Sequence, residues 1–137
     1  TSDFARTIAY YEMAYNLAEL ESDLDDALGY AQQSLDLAPE ELKQFPLAAL
    51  GWVHYKRREF DQAIDFLTRA STVDASETTL THLGMALLAS GQDDRARGVL
   101  ATARSLNRRG GALEEKMMEC MRDSARLFER VQAKQRK

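Results

Sequence analysis

Residues 47–75 read LAALGWVHYKRREFDQAIDFLTRASTVDA, and the rest of the chain can be laid out by sliding along them. Leu47, Leu50, Gly51 and His54 share one side of a first helix, and Ala63, Leu67 and Ala70 share one side of a second, because spacings of three, four and seven residues follow the helical turn. Two facing stripes predict a helical hairpin. Gly51, Ala63 and Ala70 are small where two helix axes come close, while Leu50 and Leu67 fill the space beside them.

The unit resembles the tetratricopeptide repeat, whose pattern is W-x2-L-G-x2-Y, then A-x3-F, then P, over about 34 residues. Here it stands as Leu47-x2-Leu50-Gly51-x2-His54, then Ala63-x3-Leu67 and Ala70, with Ala75 at the proline place. A second copy reads Leu80-x2-Leu83-Gly84-x2-Leu87, then Ala96-x3-Leu100, Ala103 and Arg108. Gly51 to Gly84, Ala63 to Ala96 and Ala70 to Ala103 all span 33 residues, so three landmarks keep step. An earlier copy reads Tyr11-x2-Ala14-Tyr15-x2-Ala18, then Ala27-x3-Ala31, Ser34 and Pro39. Two extra residues separate it from the next, and they are placed in the Glu40–Lys43 connection, where loop insertions cost little.

The expected fold is therefore all-α: an α-solenoid of antiparallel helix pairs with about seven helices. Three repeats are expected, at about 8–41, 44–76 and 77–109, followed by a C-terminal amphipathic helix and basic tail at 110–137. Ser2 or Asp3 can cap the first helix, Pro39 stops the second, Pro46 suits the start of the third, Ser76 or Thr78 can cap the fifth, and Gly91 can end it. Gly110 and Gly111 release the backbone from helix. Beyond them Leu113, Met117, Cys120, Met121 and Val131 lie on one stripe, suited to capping the open end of a repeat array or, through its methionines, to contacting another chain.

At 137 residues, 45% hydrophobic and 29% charged, the chain has the composition of a folded soluble protein, for which a cytoplasmic location is the default expectation. No apolar run is long enough to span a membrane. Cys120 is the single cysteine, which excludes an internal disulfide and a cysteine-based zinc site. There is no phosphate loop, nucleophile elbow or HExxH, and His54 and His82 lack partners at metal-ligand spacing. No enzyme, metal or cofactor is expected. The net charge of −4 disfavours nucleic acid.

Charge is unevenly spread. From Thr7 to Leu42 there is no Lys or Arg but nine acidic residues, among them Glu12, Glu19, Asp26 and Glu41, whereas the tail from Arg122 holds six basic residues against Asp123 and Glu129.

In the repeats that this chain resembles, the first helix of each pair lines a concave groove. The resemblance implies a non-catalytic protein-binding module, an adaptor or scaffold, with Ala9, Glu12, Asn16, Glu19 and Leu20 on the groove side of the first helix. Phe45, Ala48, Trp52, Tyr55 and Lys56 follow on the third, and Thr78, Thr81, Met85, Leu88 and Ala89 on the fifth. Trp52 and Tyr55 are residue types that dominate binding energy, and they serve equally as packing against neighbouring repeats. Relatives that grip a C-terminal carboxylate use Lys, Asn and Arg along the groove; the matching places here hold Glu12, Asn16, Ala49, Thr78 and His82, and only Asn16 fits. The partner expected is another protein, supplying an apolar or amphipathic peptide or helix with positive charge towards the acidic end. The alternative is a structural homo-oligomer joined through the acidic N-terminal end and the basic last helix.

Overall fold

Apolar residues at helical spacing, punctuated by short polar turns, produce six α-helices in the computed structural model, which describes residues 2–106 and Glu119, Arg122, Arg126 and Arg130. These are α1 (Asp3–Glu19), α2 (Leu24–Leu37), α3 (Gln44–Lys56), α4 (Phe60–Val73), α5 (Glu77–Ala89) and α6 (Asp93–Leu106). No strand occurs among the described residues. The expected seventh helix, Cys120 and the glycine break lie outside them. The chain divides into two compact units, Thr1–Ala75 and Ser76–Lys137.

In the first unit α1 pairs with α2 and α3 with α4, and α3 lies against both α1 and α2. The pairs close on alanine: Ala14, Ala18, Ala27 and Ala31 are fully buried in the first, and Ala63 and Ala70 in the second. Gly51 touches α4 so closely that a Cβ there would meet Leu67 Cγ at 2.5 Å. Ser34 stands where the next copy has Ala70. Its hydroxyl is buried and donates to the Thr7 carbonyl at 2.7 Å, so a polar atom in an apolar seam is satisfied.

Helix ends follow local chemistry. Ser2 accepts from the Ala5 amide and Ser76 from the Thr79 amide, each at 3.1 Å. The second residue past each of α1, α3 and α5 turns left-handed, Glu21 at φ 50°, Arg58 at φ 65° and Gly91 at φ 84°, and Asp23 before α2 does so too at φ 48°. The following amides, of Ser22, Glu59 and Gln92, reach back to the carbonyls of Leu17, His54 and Leu87. Each is a Schellman ending. Between the first two pairs, Glu40–Leu42 is a 3₁₀ turn that buries Leu42 and leaves Glu40 and Glu41 exposed.

The second unit holds the α5–α6 pair. Gly84 repeats the role of Gly51, with Leu100 where Leu67 stood.

Candidate protein-binding face

The α1 and α3 helices lie side by side because aromatic residues fill the line between them. Tyr11 stacks on Phe45 with centroids 5.3 Å apart and planes 12° from parallel, and meets Tyr15 edge-on at 6.5 Å. Further along, the Trp52 indole N–H donates to Glu19 Oε1 at 2.7 Å. Tyr55 stacks on Trp52 at 5.0 Å, and the Lys56 ammonium lies 4.9 Å from the indole centroid and 3.6 Å from Glu21. Burial, with the nearby Tyr11 hydroxyl and Glu19 carboxylate, holds the Tyr15 phenol above its ordinary range.

Of the residues assigned to the groove, Ala9, Glu12, Asn16, Glu19 and Leu20 are exposed on α1. On α3, Phe45 is 39% exposed, and Tyr55 and Lys56 are half-buried. Trp52 is only 3% exposed, the packing role that the sequence left open beside partner contact, and Ala48 is buried with it. The reason is that both apolar stripes of α3 are covered: Pro46 through Val53 are all buried, sandwiched by α1, α2 and α4. Trp52 therefore ties α1 to α3, and its one polar atom is satisfied by Glu19. On α5, Thr81 is likewise buried, its hydroxyl donating to the Glu77 carbonyl at 2.8 Å, whereas Thr78 is exposed and Met85, Leu88 and Ala89 are half-buried.

One feature escaped the sequence. Where the α1–α2 and α3–α4 turns meet, a shallow cleft of about 570 Å³ is lined by Glu21, Asp25, Lys56, Arg57, Arg58 and Glu59 together with Leu24. Arg57 pairs with both Asp25 and Glu59, and Glu59 also meets His54 Nδ1 at 3.1 Å. The Arg57 guanidinium, then His54, holds the Glu59 carboxyl below its usual range; Glu59 first, then Asp25, raises Arg57. Asp25 and Arg57 are 32 residues apart, so no local spacing announces their contact. The acids and bases there are balanced in number. His54 also stacks on Phe66 at 5.4 Å, as a packing histidine does. Among the described residues no group of His, Cys, Asp or Glu is arranged to hold a metal ion, and no helix is long and apolar enough to cross a membrane.

Residues 47–78, which contain all but the first turn of α3, the α3–α4 turn and α4, match the family model of the tetratricopeptide repeat. Those residues carry a tetratricopeptide repeat. A comparison with curated proteins gives no match. Tetratricopeptide repeats are protein–protein interaction units, as a rule without catalysis of their own. Within the matched residues Trp52 meets α1 through Glu19, and Phe45, two residues before them, meets it through Tyr11.

Proposed function

We propose that residues 8–41, 44–76 and 77–109 are three tetratricopeptide repeats, and that the α1–α3 face binds an amphipathic peptide or helix of another protein. The observation that carries this is the makeup of that face. Glu12, Asn16 and Glu19 are exposed on α1 beside the partly open rings of Phe45 and Tyr55 on α3, with Trp52 locked beneath. Exposed carboxylates next to accessible aromatic rings suit a ligand with an apolar side and a cationic side. Trp52 and Ala48 support the face from below, and Lys56, neutralised by Glu21, leaves the field acidic. In the second unit, taken by itself, Met85 and Leu88 are proposed as contact residues of α5.

The test is selection from a displayed library of random peptides. Sequences enriched on the intact chain should combine Lys or Arg with Leu, Ile or Phe at helical spacing, and they should be lost on Glu12→Lys and on Phe45→Ala variants that melt as the parent does. Enrichment of acidic peptides, or peptides indifferent to both substitutions, would reject this reading.

A further inference from the structure

Along the α1–α3 face from Phe45, the chain holds a cation of its own. Lys56 follows Trp52 by four residues, one turn along α3, and that spacing lays its ammonium over the indole, 4.9 Å from the centroid. Glu19 of α1 accepts the indole N–H at 2.7 Å, and Glu21, in the turn after α1, lies 3.6 Å from the ammonium. Tyr55 stacks on the same indole with planes 5° from parallel. The corner has the makeup of a cation site: an aromatic ring, two carboxylates and one positive charge already among them.

Lys56 fits this corner loosely. Its side chain is only 18% exposed, yet 3.6 Å to Glu21 is longer than a hydrogen bond, so an ammonium with three donors is held there by charge and by the ring. Glu19 and Glu21 are both exposed and can accept more than the indole N–H that Glu19 takes. Lys56 also has a place to move to. It lines the cleft of about 570 Å³ at the turns, where Asp25 and Glu59 stand, so its ammonium can leave the indole and stay among carboxylates.

The group that gains by such an exchange is a guanidinium. A partner's lysine would replace one ammonium by another, whereas arginine stacks its plane on an aromatic ring and offers carboxylates five donors in a rigid fork. We infer that the Trp52–Glu19–Glu21 corner is a binding site for an arginine side chain of the partner, filled in the free chain by Lys56, which withdraws into the cleft. Resting on the groove proposed above, this site makes it select arginine over lysine.

Trp52 is the single tryptophan, so its emission reports on this corner. The probes are two synthetic amphipathic helices of about 18 residues, about five turns, with the same Leu stripe flanked by Arg in one and by Lys in the other. Each is titrated into the intact chain, with calorimetry and indole emission followed together. The Arg helix should bind about tenfold tighter than the Lys helix and should alone shift the emission. Lys56→Met keeps the apolar stem without the charge and should narrow that gap by tightening the Lys helix; if it melts below the parent, Lys56→Gln takes its place. Glu19→Gln retains an acceptor for the indole N–H and should reduce the preference for Arg. Equal affinities with unchanged emission, both still weakened by Phe45→Ala, would overturn the arginine site and leave the groove standing. A preference for Arg that neither Lys56→Met nor Glu19→Gln alters would overturn it as well. Binding of neither helix would reject the groove and this site together.

Discussion

A Cβ on Gly51 would lie 2.5 Å from Leu67 Cγ and 3.2 Å from the Leu67 backbone nitrogen, closer than packed atoms tolerate. The helix axes are near enough there that glycine is the only residue without a clash, and Leu67 fills the room that the missing side chain leaves. Gly51→Ala is expected to destabilise by about 1–3 kcal/mol through overpacking, and Leu67→Ala by about 2–5 kcal/mol through the cavity it opens. The two changes share one contact, so the double variant should fall short of their sum by at least about 1 kcal/mol, since the alanine methyl enters the vacated space. Urea unfolding of the four proteins measures this, and additive losses would show that the two residues do not touch. Gly29 provides the contrast: it sits inside α2 with nothing within 4 Å of an added Cβ. Gly29→Ala should therefore stabilise by about 0.5–1 kcal/mol through helix propensity alone.

Helix ends show how local rules were met with and without the expected residue. Gly91 ends α5 at φ 84°, where glycine carries no Cβ penalty, but Arg58 ends α3 at φ 65° and Glu21 ends α1 at φ 50° with full side chains. A left-handed non-glycine residue costs roughly 1–2 kcal/mol, partly offset by the entropy that glycine would lose. Arg58→Gly should thus raise stability by about 0.5–1 kcal/mol, and Gly91→Ala should lower it by about 1 kcal/mol; shifts of opposite sign in the urea midpoint would contradict the backbone argument. The α3–α4 turn also has a pH signature. Arg57 holds the folded Glu59 carboxyl below its usual range, so its contribution is present above the unfolded value of about 4.3 and is lost as pH falls through the lower folded one. The urea midpoint should therefore drop between about pH 5 and pH 3, and by less in Glu59→Gln; parallel curves would mean the network adds nothing. Gly91 was legible as a terminator because glycine is marked for that place, whereas nothing in the composition marks Arg58. The α3 stripe was ambiguous for a similar reason: an apolar face reads the same whether α1 or a partner covers it, and Trp52 turned out to be covered. Likewise the Glu40–Leu42 turn read as a cheap insertion, because burial of Leu42 depends on contacts that no short window contains.

Along the sequence the negative charge is concentrated rather than diffuse: the net charge is −4, and no Lys or Arg falls between Thr7 and Leu42 among nine carboxylates, of which Glu21, Asp25 and Glu40 are paired with Lys56, Arg57 and Lys43. A field of that kind acts before contact. Under the function proposed above it would steer a cationic partner towards α1 and α2, but once the partner is docked, exposed pairs contribute little, because solvent and salt screen them. Electrostatics should accordingly govern how fast a basic peptide arrives, and the apolar contacts at Phe45 and Tyr55 how long it stays. For a Lys-rich peptide selected on the intact chain, raising ionic strength from about 0.01 M to 0.15 M shortens the Debye length from about 30 Å to about 8 Å. The association rate should drop by about tenfold while dissociation changes little. Glu12→Lys combined with Asp26→Lys should produce the same loss at low salt, whereas Phe45→Ala should instead speed dissociation. Stopped-flow measurement of both rates separates the two effects. If salt and the charge reversals acted on dissociation, the carboxylates would be buried contacts in the complex rather than a steering field, and the exposure of Glu12 and Asp26 in the free chain would not persist in the bound one.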